Sequence, residues 1–133
     1  FDNQNTDYWM NLAYVYEELQ KWEEAAKCFG QVVKIDQSDL EAWNSLARLL
    51  LLKNMLDKAL EVLKKAVAEF PDDGHLAVKM ASCQYRLGNR SAGYDFLETA
   101  LKKDRKLFAD FLLITEDTFL DKKARKLIER HTK

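Results

Sequence analysis

Residues 9–16, WMNLAYVY, and residues 43–50, WNSLARLL, decide how this chain folds. Trp, Leu and Ala return at matching places in the two stretches, which lie 34 residues apart. Sliding the whole sequence by that step superposes Trp9 on Trp43, Leu12 on Leu46, Ala13 on Ala47, Ala25 on Ala59 and Val33 on Val67. A second step brings Ala81 over Ala13 and Ala47, and Ala100 over Ala66. The third copy is weaker, with Ala77 in place of the tryptophan and Gly93 in place of the alanine. An apolar framework that returns three times at one period marks stacked repeats, each burying its open face on the next.

Each unit reads as two helices. Trp9, Leu12, Ala13 and Tyr16 fall on one face of a 3.6-residue helix, and Ala25, Ala26, Phe29, Val32 and Val33 do the same in the second half. Leu19-Gln20-Lys21, Lys53-Asn54 and Gly88-Asn89 are the short connections, and Gly88 suits the left-handed residue that ends a helix. Asp39, Asp57 and Asp73 are the expected N-caps, and Pro71 stops the helix before it. Ala13, Ala25, Ala47, Ala59 and Ala81 fall where paired helices need close approach. Helices are expected over roughly 7–19, 22–35, 40–53, 56–69, 74–87, 90–103, 106–115 and 121–131, with no strand.

These residues resemble the tetratricopeptide repeat. Its W-x2-L-G-x2-Y, A-x3-F and P pattern is met by Trp9, Leu12, Ala13, Tyr16, Ala25 and Phe29, then by Trp43, Leu46, Ala47, Ala59, Leu63 and Pro71. The third copy keeps Met80, Ala81, Gly88, Leu97 and Ala100, while Gln37 and Arg105 stand where Pro is usual. The resemblance implies an all-α, right-handed solenoid, here one domain with repeats at about 6–39, 40–73 and 74–107 and capping helices at about 108–133. Phe108, Phe111, Leu112 and Leu113 predict a short helix lying on the third repeat, followed by a loop over 115–120. Asp121 then caps a last helix, apolar only at Ala124, Leu127 and Ile128, that seals the stack.

The chain begins without Met and reads as a piece of a longer protein. Tyr8 and Val15 lie on a face that an earlier repeat would cover, which points to further repeats before Phe1. The 133 residues carry 47% hydrophobic and 32% charged side chains, an ordinary balance for a folded domain. No apolar run approaches the roughly 18 residues of a membrane span. Phe1–Asp7 has neither the basic start nor the apolar stretch of a secretory signal. Cys28 and Cys83 lack metal-ligand spacing and read as small core residues. The net charge of −1 hides an asymmetry: residues 1–39 hold eight acidic side chains against three lysines, a balance of −5, and residues 102–133 hold ten Lys/Arg against six Asp/Glu, a balance of +4.

Catalytic constellations are missing: there is no phosphate-binding glycine loop, HExxH, GxSxG or calcium loop, and His75 and His131 stand alone. No enzyme activity, cofactor or metal is expected. Nucleic acid is disfavoured as well, since the pI is near 6.2 and no aromatic residues interleave with the basic C-terminal end.

The resemblance implies that the first helix of each pair lines a concave groove. Its stripe is Met10, Tyr14 and Glu17, then Asn44, Arg48 and Leu51, then Val78, Ser82 and Tyr85, flanked by His75, Lys79 and Arg86. Exposed Tyr and Leu beside Arg and Lys suit a protein or peptide partner, so the expected partner-binding residues are Met10, Tyr14, Asn44, Arg48, Leu51, Val78, Lys79, Ser82 and Tyr85. The best-known groove of the family grips a C-terminal carboxylate with Lys, Asn and Arg. The matching places here hold Met10, Tyr14, Ser45, His75 and Lys79, and only Lys79 offers a comparable charge. A chaperone tail held in that manner is therefore not expected. The alternative is a structural spacer that contacts partners, or itself, through its end faces, notably the N-terminal end.

Overall fold

Three residues with left-handed backbones, Gln20, Asn54 and Gly88, turn the chain at intervals of one repeat. At each, two amides reach back into the helix before it: Gln20 and Lys21 donate to the carbonyls of Glu17 and Tyr16, Asn54 and Met55 to Leu51 and Leu50, Gly88 and Asn89 to Tyr85 and Gln84. This paired closure satisfies carbonyls that a helix end leaves open. The computed structural model describes residues 4–115 and 120–132.

Among the described residues there are eight helices and no strand: α1 (Thr6–Glu18), α2 (Trp22–Ile35), α3 (Leu40–Leu52), α4 (Leu56–Glu69), α5 (Gly74–Arg86), α6 (Arg90–Lys103), α7 (Leu107–Thr115) and α8 (Lys122–Thr132). The first six keep the period without a slip, and their ends fall within about two residues of those expected. Of the expected loop over 115–120, Thr115 ends α7 and 116–119 lie outside the described residues. No helix among the described residues is long and apolar enough to cross a membrane.

Capping follows the same rhythm, with one correction. Asn5, Asp39 and Asp73 accept backbone amides at the starts of α1, α3 and α5. Asp57 does not cap: α4 opens on Met55, and Asp57 sits inside the first turn, where its charge faces the positive end of the helix dipole. Asp121 accepts the Ala124 amide at 3.0 Å and opens α8 as expected. At Gln37, where proline is usual, the carbonyl instead accepts the Trp43 indole N–H at 2.8 Å, which satisfies the donor of a buried ring.

Small residues set the spacing of the pairs. Ala13, Ala25, Ala47 and Ala59 are fully buried. In the third pair Gly93 takes this place, and a Cβ there would stand 3.1 Å from the backbone of Tyr85. Glycine therefore lets α6 approach α5 more closely than alanine allows.

Two core clusters result. One joins the first two pairs to Leu76, Met80 and Cys83 of α5. The other joins Ala77, Val78, Ala81 and Tyr85 of the same helix to α6, α7 and α8, where Ala124, Leu127 and Ile128 are buried. At the N-terminal end Tyr8 and Val15 stay 41% and 52% exposed, while their counterparts Ala42, Leu49, Leu76 and Cys83 are covered.

Replacing Ala59 with Leu should overpack the α3–α4 contact and cost about 1–3 kcal/mol in chemical denaturation. Gln20→Gly should act in the opposite direction. It relieves a left-handed L-residue, and a gain of about 0.5–1 kcal/mol is expected after the added chain entropy of glycine.

Candidate functional site

The first helices of the three pairs, α1, α3 and α5, carry the residues singled out above, and the structure sorts them into two groups. Tyr14 is exposed, and Asn44, Arg48 and Lys79 are half-buried. Met10, Leu51, Val78, Ser82 and Tyr85 are buried within the chain, so the exposed tyrosine and leucine expected at positions 85 and 51 are corrected. Met10 joins the first core cluster with Ala13, Trp43 and Ala47. Leu51 lies where Arg86 reaches across to bond its carbonyl at 3.1 Å.

What closes the third repeat is α7. It packs mainly on α5, with lesser contacts to α6 and α3, while α8 packs on α6. Thr115 and Ser82 share a hydrogen bond of 2.7 Å between buried hydroxyls. Phe111 meets Tyr85 edge to face with ring centroids 6.0 Å apart. Arg86 donates to the carbonyl of Ile114 at 3.0 Å, and His75 lies 3.4 Å from the Asp110 carboxylate. The sequence carried a signal for this. Residues 107–115, LFADFLLIT, are apolar around nearly the whole helix, and such a helix is covered on more than one side.

Beyond α7 the chain is pinned through Asp121. Its amide donates to the Tyr85 hydroxyl at 2.6 Å, and its carboxylate accepts from Arg90 at 3.0 Å and from the Tyr94 hydroxyl. Arg90 also lies over the Tyr85 ring, 3.9 Å from its centroid. Burial and the Asp121 carboxylate together push the Tyr94 hydroxyl up to about 12.

Polar pairs link the first helices across the part of their shared face that α7 leaves uncovered, from α1 to α3 and from α3 to α5. The Tyr14 hydroxyl donates to Glu41, Arg48 pairs with Glu17, and Lys79 donates to the Asn44 side chain at 3.0 Å. Burial, then the Glu41 carboxylate, raise the Tyr14 hydroxyl to about 12, so it remains a donor. Burial pulls Lys79 below the usual lysine value; Asp110 and Asp73 oppose this, and Arg48 adds to it. Among the described residues no carboxylate comes within 4.0 Å of the Lys79 ammonium.

On the convex side a groove of about 1010 Å³ runs between α2 and α4, floored by Leu46 and Leu50 and walled by Trp22, Ala26 and Val62. Lys53 lies over the Trp22 ring at 5.0 Å. The sequence reading did not single this groove out, because its lining comes from three helices and shows no pattern within any one of them.

Family models described as tetratricopeptide repeat match residues 6–74 and 50–112. The chain belongs to the tetratricopeptide repeat family. It is 29% identical over 94 residues to BBSome complex member BBS4 of Bos taurus, an alignment covering 71% of this chain. The matched stretch is 18% of the length of that protein. Among solved structures the fold is similar to that of MamA, with a TM-score of 0.75 at 16% identity, covering 98% of this chain and 78% of the other. It is similar too to the first TPR of Spaghetti (RPAP3) bound to the HSP90 peptide SRMEEVD, with a TM-score of 0.72 at 13% identity, covering 98% and 93%. At such identities the likeness is one of tetratricopeptide repeat architecture alone.

Two substitutions separate structural from open groove positions. Tyr85→Ala removes a buried ring from the second core and should cost about 3–5 kcal/mol in thermal or chemical unfolding. Arg48→Ala breaks a part-exposed ion pair and should cost less than about 1 kcal/mol.

Proposed function

We propose that this chain is a protein-interaction module, one domain of three repeats with a C-terminal cap, which holds a segment of a partner protein on its concave face. The observation that carries this reading is Lys79. A half-buried ammonium that has lost solvation and keeps a single amide hydrogen bond is poised to take an anionic partner group. Tyr14, Asn44 and Arg48 line the open face beside it and supply one phenol, one amide and one guanidinium. Met10, Leu51, Val78, Ser82 and Tyr85 support that face from beneath or lie under α7. The same fold in RPAP3 carries a peptide rich in acidic residues. The positions that differ here leave one lysine where that family's best-known groove uses several cations, so a single carboxylate side chain or terminus is the expected ligand group.

A second reading, a spacer or self-association element that works through its end faces, is favoured by two observations. The chain's own α7 covers part of the concave face, and Tyr8 and Val15 remain exposed at the N-terminal end.

Peptide-array screening of the chain, followed by fluorescence titration of the selected peptides, tests the first reading. Acidic peptides should be selected, and Lys79→Ala should weaken them roughly 10-fold to 100-fold, the range for losing a hydrogen bond to a charged group. Tyr14→Ala and Arg48→Ala should weaken them less, and added salt should lower affinity throughout. The pH dependence follows from the sign of the lysine shift. Binding needs the ammonium, so affinity should hold at neutral pH and fall as pH rises through a pKa below 10.5. Selected peptides that ignore all three substitutions would leave the spacer reading in its place.

A further inference from the structure

The helix that fills the concave face of the third repeat has left the place that the repeat period assigns to it. At the two junctions upstream, the first helix of a pair meets the second helix of the preceding pair more than the first: α3 packs on α2 rather than α1, and α5 more on α4 than on α3. By the same rule α7 belongs on α6, yet it lies mainly on α5 and reaches α3, and α8 occupies α6 instead. α7 therefore sits across the first helices of two pairs, as a bound helix would.

Its seat is specific at both ends and along its length. At the start, Gly74 leaves room for the Leu107 side chain, which comes within 2.8 Å of where a Cβ would stand. Asp110 faces His75 at 3.4 Å, and Leu107 and Phe111 are buried in the second core. At the end, Thr115 bonds Ser82 and Arg86 bonds the Ile114 carbonyl. A guanidinium on the last carbonyls of a helix is the charge that a helix C-terminus attracts. Direction is thus encoded along with side-chain preference: N-terminus at His75, C-terminus at Arg86.

We propose that this face is a docking site for an apolar helix of a partner protein, and that α7 is its resident occupant, displaced when the partner helix arrives. The proposal rests on the concave-face reading above and adds a second site with a different ligand chemistry. A fitting partner helix carries Leu or Phe one turn apart, as Leu107 and Phe111 are, and offers a free C-terminal carbonyl to Arg86. Because α7 holds the site in the resting chain, the partner's apparent affinity is reduced by the fraction of molecules in which α7 is released.

A reversible lock tests this on the whole chain. Ser82 and Thr115 oxygens stand 2.7 Å apart, so Ser82→Cys with Thr115→Cys, in a Cys28→Ala, Cys83→Ser background, brings two thiols within disulfide reach. The probe is a fluorescent peptide of residues 105–116, RKLFADFLLITE. Expected results are no peptide binding by the oxidised chain and recovered binding on reduction, two states of one sequence that need no comparison of folding. In the otherwise native chain, Phe111→Ala should bind the peptide at least about tenfold more tightly than the parent, by releasing α7. Equal binding by oxidised and reduced chains overturns the proposal. So does formation of the disulfide between two chains in a dimer, which would make the occupant a second copy. The oxidised chain should still bind acidic peptides through Lys79, so loss of that binding and failure of helix exchange are read separately.

Discussion

Helix α5 is enclosed on almost its whole circumference, and the rest of the structure is arranged around that fact. Leu76, Met80 and Cys83 face the core of the first two pairs, whereas Ala77, Val78, Ala81 and Tyr85 face the core shared with α6, α7 and α8. A helix with apolar side chains on all sides is stable in water only when neighbours cover each of them. One side is covered by the preceding pair, as in any stack of repeats. The other needs both a close partner, which Gly93 permits, and a further cover, which α7 supplies. The path of the C-terminal segment is therefore a consequence of how apolar α5 is. Lys79, Gln84 and Arg86 are its half-buried polar exceptions, and two of them face groups on the concave side.

The repeat, its period and the six helices of the pairs were legible in the sequence because they rest on local rules: apolar spacing, caps and small residues at contacts. Gln20 shows where those rules loosen. Nothing about glutamine marks a left-handed residue, and only its distance from Asn54 and Gly88 places it there. Asp57 shows a local rule misapplied, since an acidic residue near a helix start can serve the dipole without capping. The groove residues were legible as a stripe but not in their exposure. Val78, Ser82 and Tyr85 lie on the predicted face, and their burial depends on a helix about 30 residues later in the chain. Long-range covering of this kind leaves no periodic trace in the residues covered, although the all-round apolar character of α7 did announce a buried helix.

The comparisons separate shape from recognition. Helix placement is shared with proteins to which this chain is only 16% or 13% identical, so the architecture tolerates change at most positions. Recognition, in the function proposed above, rests on the few side chains on the uncovered part of the concave face, and folds of one shape host different ligands through such changes. Where the best-known groove of the family is expected to carry Lys, Asn and Arg, this chain keeps one lysine, Lys79, beside Met10, Tyr14, Ser45 and His75. Tyr14, Asn44 and Arg48 are already engaged with Glu41, Lys79 and Glu17. A ligand of the proposed kind would exchange existing contacts for new ones, and its selectivity would depend on the difference between them.

Lys79 has a consequence for chemical reactivity as well as for charge. A protonated amine is no nucleophile, and the free amine of an ordinary lysine is scarce at neutral pH. Loss of solvation lowers the Lys79 pKa, so its free-amine fraction exceeds that of a lysine at the usual value. Acylating and imine-forming reagents select among lysines by that fraction and by access. The desolvation on which the proposed anion contact rests thus also raises the share of Lys79 present as the free amine, the form that reacts with such reagents.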